Sequence, residues 1–392
     1  MNKIFHPLST FYRCQAAPLT GVMLTFTLFG CGTQPQPQAV EKIAQDTSSA
    51  QESAQKPERD LSFNDVTLEQ ADQQGRQMWK VKAKEATYSK DQKTAQLQSP
   101  IGQLFQDGKP VYNITAQTGE IEKDGEKLFL KGQIVAKAPL HNLVLRGNEL
   151  EWRPKEDLLI VRNQLTGSHP QLQAVAQEAR VKSRAALVEL QGKVQAIAKD
   201  PTVQMRTEHL IWQMREQKLI GDRPLQIDRY EGKKNTDRGT ANSGEVNLKT
   251  KVTTLRQDAQ ISLLKPPMQV TGNSLSWNMN TKIVSADQPV RIVNTQQQMV
   301  VTANQGRMDL QKEIAYLSGD VNGVGLNRQS LKANSLTWYL PNQLMEANGD
   351  VVYRQVDPPA SFSGQKAVGK LQEQNIEVSG GNVVTEIVPQ QK

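Results

Sequence analysis

Histidine, cysteine and paired carboxylates are the side chains that most often do chemistry, and here they are thinly spread. After residue 60 only His141, His169 and His209 occur, 28 and 40 residues apart, which is not the spacing of a metal site. His209 stands one residue before Leu210 on an alternating segment, so it is expected on the outer face of a strand if Leu210 faces inward. Both cysteines, Cys14 and Cys31, fall in the first 31 residues, leaving the remainder without a thiol nucleophile, a disulfide or a cysteine metal ligand. Acidic residues sit in turns beside Lys and Arg, as in EKDGEK (122 to 127), and no pair stands out for acid/base work. Neither a G-x-S-x-G elbow nor a phosphate-binding G-x-x-x-x-G-K-[ST] loop is present. The expectation is a protein with no catalytic residues, no cofactor and no metal. Tryptophan offers a different chemistry, an apolar surface for a ligand or a core, and four of the five tryptophans recur in one context.

That context is a repeat. RGNELEWRPKEDLLIV (146 to 161), RTEHLIWQMREQKLIG (206 to 221), TGNSLSWNMNTKIVSA (271 to 286) and KANSLTWYLPNQLMEA (332 to 347) align with Trp152, Trp212, Trp277 and Trp338 at one position. Two residues before each lies Leu150, Leu210, Leu275 or Leu336, on the same face of a strand. Segments without Trp follow the same pattern, and the anchors Tyr88, Ile121, Trp152, Val181, Trp212, Leu248, Trp277, Leu310, Trp338 and Leu371 mark ten units about 31 residues apart. Each unit alternates, passes a polar turn such as RPKED (153 to 157), alternates again, and often closes on Gly with Asp or Asn. Period two on both sides of a polar turn is a β-hairpin signal, and no helical period is sustained after residue 60. About twenty short antiparallel strands are therefore expected. A lone hairpin is marginal in water, so the units must stack with apolar faces converging into an elongated double-layered structure. The eight Leu and Trp residues would then fill a core or line a lipid groove. The first and last strands would remain as open edges.

The N-terminus reads as an address. Lys3 and Arg13 precede the apolar run AAPLTGVMLTFTLFG (16 to 30), which is shorter than the roughly 20 residues a membrane-spanning helix needs. LFGC (28 to 31) resembles a lipobox with Cys31 as the lipidated residue, so 1 to 30 is expected to be a signal peptide or a membrane anchor. Residues 31 to 60, rich in Gln, Ser, Ala and Pro, read as a disordered tether.

Only 5% of residues are aromatic and 37% hydrophobic, which suits a thin β architecture better than a thick globular core. The net charge of +7 favours anionic partners such as phosphorylated lipids or membrane surfaces. No basic stripe with interleaved aromatics supports nucleic-acid binding. The densest basic cluster, EGKKNTDRG (231 to 239), reads as a solvated loop over 226 to 242.

Taken together these features resemble the LptC and OstA-like family of the lipopolysaccharide-export bridge, in a long form with extra repeats. The segment from 61 to 135 carries the resemblance best, with Gly75 and Trp79 leading into WKVKAKEATY and then AQTGEIEKDGEKLFLKG (116 to 132). On this resemblance 61 to 225 is an LptC-like unit, 243 to 385 a second OstA-like unit, and 386 to 392 a tail. It implies an antiparallel β-jellyroll in the periplasm, tethered to the inner membrane by a lipid at Cys31 or by an N-terminal helix. It further implies lipopolysaccharide as cargo, with acyl chains held in the jellyroll, and an inner-membrane ABC transporter as the source of energy. The next partner would be an OstA-like periplasmic bridge protein joined by edge-strand pairing. Two other classes fit the residues alone: a repetitive β scaffold or surface adhesin without lipid cargo, and a carbohydrate-active β-helix enzyme. The latter would break the repeat with a charged cluster, and none stands out.

Overall fold

The computed structural model describes residues 61 to 90, 93 to 122, 126 to 265 and 267 to 387. The signal, tether and Cys31 expectations, and the tail from 388, lie outside them. Within these residues 28 strands form one continuous antiparallel sheet, with short 3-10 turns at Pro139–His141 and Pro154–Glu156 and no α-helix. No helix among the described residues is long and apolar enough to cross a membrane.

Half of the strands run 10 to 13 residues and pair along most of their length with their neighbours in sequence. Fourteen shorter segments form seven broken passes; Thr94–Gln98 with Ile101–Gln106, for example, together cover Gln77–Tyr88. The 28 segments thus make 21 passes, in agreement with the about twenty strands expected.

The long passes turn a corner near the middle, and there the inward face changes parity on strands such as Leu143–Arg153, Thr202–Gln213, Pro267–Asn278 and Ser330–Tyr339, while neighbours such as Leu128–Ala138 and Leu187–Lys199 keep theirs. In Leu143–Arg153 the inward residues are Leu143 and Leu145 before the corner, then Leu150 and Trp152 after it. One strand therefore lines both layers of the jellyroll. Two neighbours can turn the corner together only if one carries the extra residue of a bulge, which keeps its parity while the other strand shifts. The bulge is built from two successive residues of positive φ: Gly132/Gln133, Asn163/Gln164, Gly192/Lys193, Gln257/Asp258, Gly319/Asp320 and Gly349/Asp350. Opposite several of these pairs stands a single polar residue such as Asn148, Glu208, Asn273, Asn334 or Gln365. Some of these side chains also tie the corner: Glu208 accepts from the Lys193 N–H at 3.1 Å, and Asn334 donates to Asp350 at 3.0 Å. The Gly-Asp endings of the repeat are these corners.

At one rim the turns are joined to one another. The amides of Met214, Leu248, Met279, Leu310 and Leu340 donate to the carbonyls of Ala186, Gln217, Lys251, Lys282 and Glu313 in the preceding turns, at 2.8 to 3.0 Å. Each acceptor residue has positive φ, which turns its carbonyl towards the next hairpin. The core is one cluster running from Met78 to Leu371.

The loop expected over 226 to 242 is instead a hairpin of Leu225–Glu231 and Lys234–Ala241. Several of its charges are paired across the strands rather than solvated. Arg229 donates to Asp237 at 2.7 Å, while Asp228, only 1% exposed, accepts from Arg238, Gln226, Arg206 and Asn235. Burial pushes the Asp228 carboxyl up, but these donors outweigh it and hold the group below its ordinary range. The sheet therefore runs without interruption from the first expected unit into the second.

The corner mechanism makes a direct prediction. Gly192 has φ +76°, and a Cβ there would stand 2.1 Å from the Gln177 amide oxygen, whereas Gly75, at φ +75°, has nothing within 4 Å. Gly192→Ala should cost ~2 to 3 kcal/mol and Gly75→Ala about 1 kcal/mol, measured by the midpoint of urea unfolding. Equal costs would count against the corner reading.

Candidate functional site

Leu150, Trp152, Leu210, Trp212, Leu275, Trp277, Leu336 and Trp338 all point inward and are at most 2% exposed. Their strands alternate into the joined rim, and period two places each Leu–Trp pair on the core face. The rings do not touch one another. Four passes separate each from the next, about 19 Å at the usual strand spacing, with Val181, Val246 and Met308 on the passes midway between them. Flanking partners are aliphatic or small: Leu128 and Leu159 beside Trp152, Val188 and Leu219 beside Trp212, Thr253 and Val284 beside Trp277, Ala315 and Met345 beside Trp338. A continuous aromatic pavement is thereby excluded. Instead the interior is an aliphatic channel filled with side chains and marked by one ring at regular intervals.

The four rings differ in how their indole N–H is satisfied. Trp152 donates to the Met78 carbonyl at 3.2 Å and meets Tyr112 edge-on at 5.8 Å. The Tyr112 hydroxyl in turn bonds Ser183 at 2.7 Å. Trp212 has His169 edge-on at 4.8 Å, yet its N–H has no partner within the protein, nor have those of Trp277 and Trp338. Thr253, beside Trp277, and Tyr353 also keep partnerless buried oxygens. All such buried side-chain atoms among the described residues belong to position 212 or beyond. The first part of the core is fully satisfied, and the later part holds unused donors and acceptors in apolar surroundings. Sequence reasoning found the Trp row but missed Met78, Thr253 and Tyr353. Their alternation marked them as inward, but hydrogen bonding across the core is not written along the strand.

The outer face carries the charge. Arg153, Glu151, Arg162, Glu178 and Arg180 form a chain of ion pairs across neighbouring strands. Burial pushes Glu151 up and its two arginines bring it below its ordinary range. His209, expected on the strand surface, is wedged between Asp222 at 2.7 Å and Glu189 at 2.9 Å. Burial would lower its pKa, but the two carboxylates prevail and raise it. Among the described residues no group of three or more His, Cys, Asp or Glu is arranged to hold a metal ion.

The family model described as LptC, lipopolysaccharide-assembly, LptC-related, matches residues 37 to 158 and again 225 to 325. The second match begins within the hairpin first read as a loop. No curated protein matches the chain.

Two outcomes are expected. Trp152→Phe strands the Met78 carbonyl, whereas Trp277→Phe removes a donor that has no partner. The first should therefore be more destabilising by ~1 to 2 kcal/mol in urea unfolding, although the ring change is the same. The raised His209 pKa stabilises the folded state fully below the unfolded value of about 6.5, and that contribution fades as pH rises through the folded pKa. The stability gap between the wild type and His209→Gln should be wider in acid than in mild alkali; a gap independent of pH would contradict the clasp.

Proposed function

The chain belongs to the LptC-related family of lipopolysaccharide-assembly proteins, and on that premise we propose that it carries acyl chains of lipopolysaccharide inside its jellyroll. It receives them from the inner-membrane ABC transporter and passes them to an OstA-like bridge protein. The observation that carries this reading is the single apolar cluster from Met78 to Leu371, with partnerless indole N–H groups at Trp212, Trp277 and Trp338. A buried donor without a partner costs about 1 to 3 kcal/mol, which the ester or hydroxyl oxygens of an acylated lipid would relieve.

Magnitudes favour shielding over chemistry. Burying a methylene is worth ~0.8 kcal/mol, so an acyl chain of about a dozen gains roughly 10 kcal/mol on leaving water. Opposing this is the separation of the two rims, which are bridged largely by exposed polar contacts such as Arg184–Asp107 at 2.7 Å. Exposed ion pairs are worth about 0 to 1 kcal/mol each. The polar seam thus adds little to the cost of splaying the layers, and an acyl chain replaces the apolar contacts that splaying opens. No chemical step is required of the protein, and the energy for direction comes from the transporter.

The ends of the sheet suit the partners proposed. Among the described residues Leu61–Ala71 pairs only with Gln77–Tyr88, and it exposes Leu61 and Phe63. At the other end Asn375–Ser379 and Val384–Ile387 pair, among the described residues, only with Pro359–Lys370, leaving hydrogen-bonding edges. Tethering at Cys31 or by an N-terminal helix would hold the first edge near the inner membrane.

A photoreactive residue at 212 or 277 should capture lipopolysaccharide in cells during export, and one at the outward Ser276 should not. If no inward position along the core captures lipid, the conduit reading falls.

A further inference from the structure

The two rims meet along a seam, and polar contacts close it at intervals. In chain order they are Asp107 with Arg184, Gln171 with Gln217 at 3.4 Å, Asp200 with Lys251, Glu231 with Lys282 at 2.9 Å, and Gln297 with Gln372. Gln329 adds a bond to the Leu371 carbonyl at 2.8 Å. Between the Glu231–Lys282 and Gln297–Gln372 contacts, no hydrogen bond or ion pair crosses the seam among the described residues. Two successive turns of the joined rim, around Leu310 and Leu340, therefore face the opposite rim without a polar tie.

A pocket of about 340 Å³ lies in this interval. Its apolar wall is made of Leu263, Leu264, Leu310 and Leu340. Leu263 and Leu340 belong to the core cluster, and Leu310 packs against it. Leu340 lies two residues beyond Trp338, so the wall continues the Trp row outwards. Leu264, by contrast, is 49% exposed. At the lip Lys234 and Lys265 are exposed and have no ion pair, while Arg229 and Lys282 are engaged by Asp237 and Glu231. Glu313 is the one carboxylate at the lip outside those pairs. The same half of the core holds the partnerless Thr253 hydroxyl and the Trp277 and Trp338 indole groups.

We infer that this gap is a side port through which one acyl chain of a phosphorylated lipid enters or leaves the jellyroll, with its phosphate on Lys234 and Lys265. An apolar passage that joins a continuous core and has unpaired ammonium groups at its mouth matches an amphiphile with an anionic head. A soluble anion would gain nothing from the leucines, and an uncharged alkane nothing from the lysines. The inference rests on the conduit reading and adds where the cargo crosses the wall.

The test uses the full chain, purified and mixed with lipopolysaccharide, with photoreactive residues placed singly at 264, 326, 356 and 277. Leu326 and Val356 are exposed apolar residues on the same rim, 56% and 50% exposed, outside the gap. The port predicts capture at 264 and 277 and little at 326 or 356. It also predicts that Lys234→Glu with Lys265→Glu lowers capture at 264 by about fivefold or more, as loss of one modest charge interaction would. Because both lysines are exposed, circular dichroism of this double variant should match the wild type. Lipid stripped of phosphate should be captured at 264 as weakly as the intact lipid is by the double variant. Equal capture at 264, 326 and 356, or equal capture with and without phosphate, overturns the port while leaving the conduit intact if 277 still reacts. No capture at 277 or at any other inward position overturns the conduit itself.

Discussion

The constraint on which the whole molecule depends is that a β-strand shows alternate residues to opposite faces, while these strands must bury apolar residues on both sides of a corner. The chain resolves it by placing two residues in left-handed conformation at mid-strand, opposite a single polar residue. The bulged strand keeps its parity while its neighbour shifts by one, and everything else follows from that pairing. Leu145 and Leu150 can line facing layers of one core although they stand five positions apart. The two layers can be cut from the same set of strands, so the sheet needs no crossover connection. Registration of neighbouring corners fixes the register of each hairpin as well, since a one-residue slip would move both apolar sets outward together.

Rigidity is distributed unevenly as a result. Along the strands the backbone ladders are continuous, and at one rim the turns extend that ladder from hairpin to hairpin through their own amides. Across the interior the layers are held by apolar contact, and across the seam by scattered polar contacts of small individual strength. The structure is thus firm along its sheet and weakest where one layer faces the other. The core's own chemistry sharpens the contrast. Among the described residues before 212 every buried polar side chain is satisfied, as Trp152 and Tyr112 illustrate, whereas from 212 onward several have no partner within the protein.

Much of this was legible in the sequence. The 31-residue repeat, the inward Leu–Trp pairs and the number of passes all come from period-two patterning, which is a local property. The hairpin at 226 to 242 was not legible, because charge density argued for solvent while the actual partners of Asp228, Arg206 and Arg238, stand on neighbouring strands. The parity change was also hidden: the Gly-Asp endings were visible, but as turns rather than as mid-strand corners, since the two share the same φ requirement. The seam is still less accessible. Leu264 and Leu340 are 76 residues apart, and nothing in either local pattern announces that they share a wall.

The joined rim has a consequence for how such a molecule can change in length. Because each turn donates to the one before it and each corner must face a corner, a single pass cannot be added without reversing the direction of all that follow. Growth by a whole hairpin unit keeps every donor, acceptor and parity in place. Each unit of about 31 residues advances the sheet by two strands, close to 10 Å at the usual spacing. The fold is in this sense a ruler with fixed graduations: the distance it spans can be lengthened or shortened in steps, and between the steps there is no stable structure to occupy.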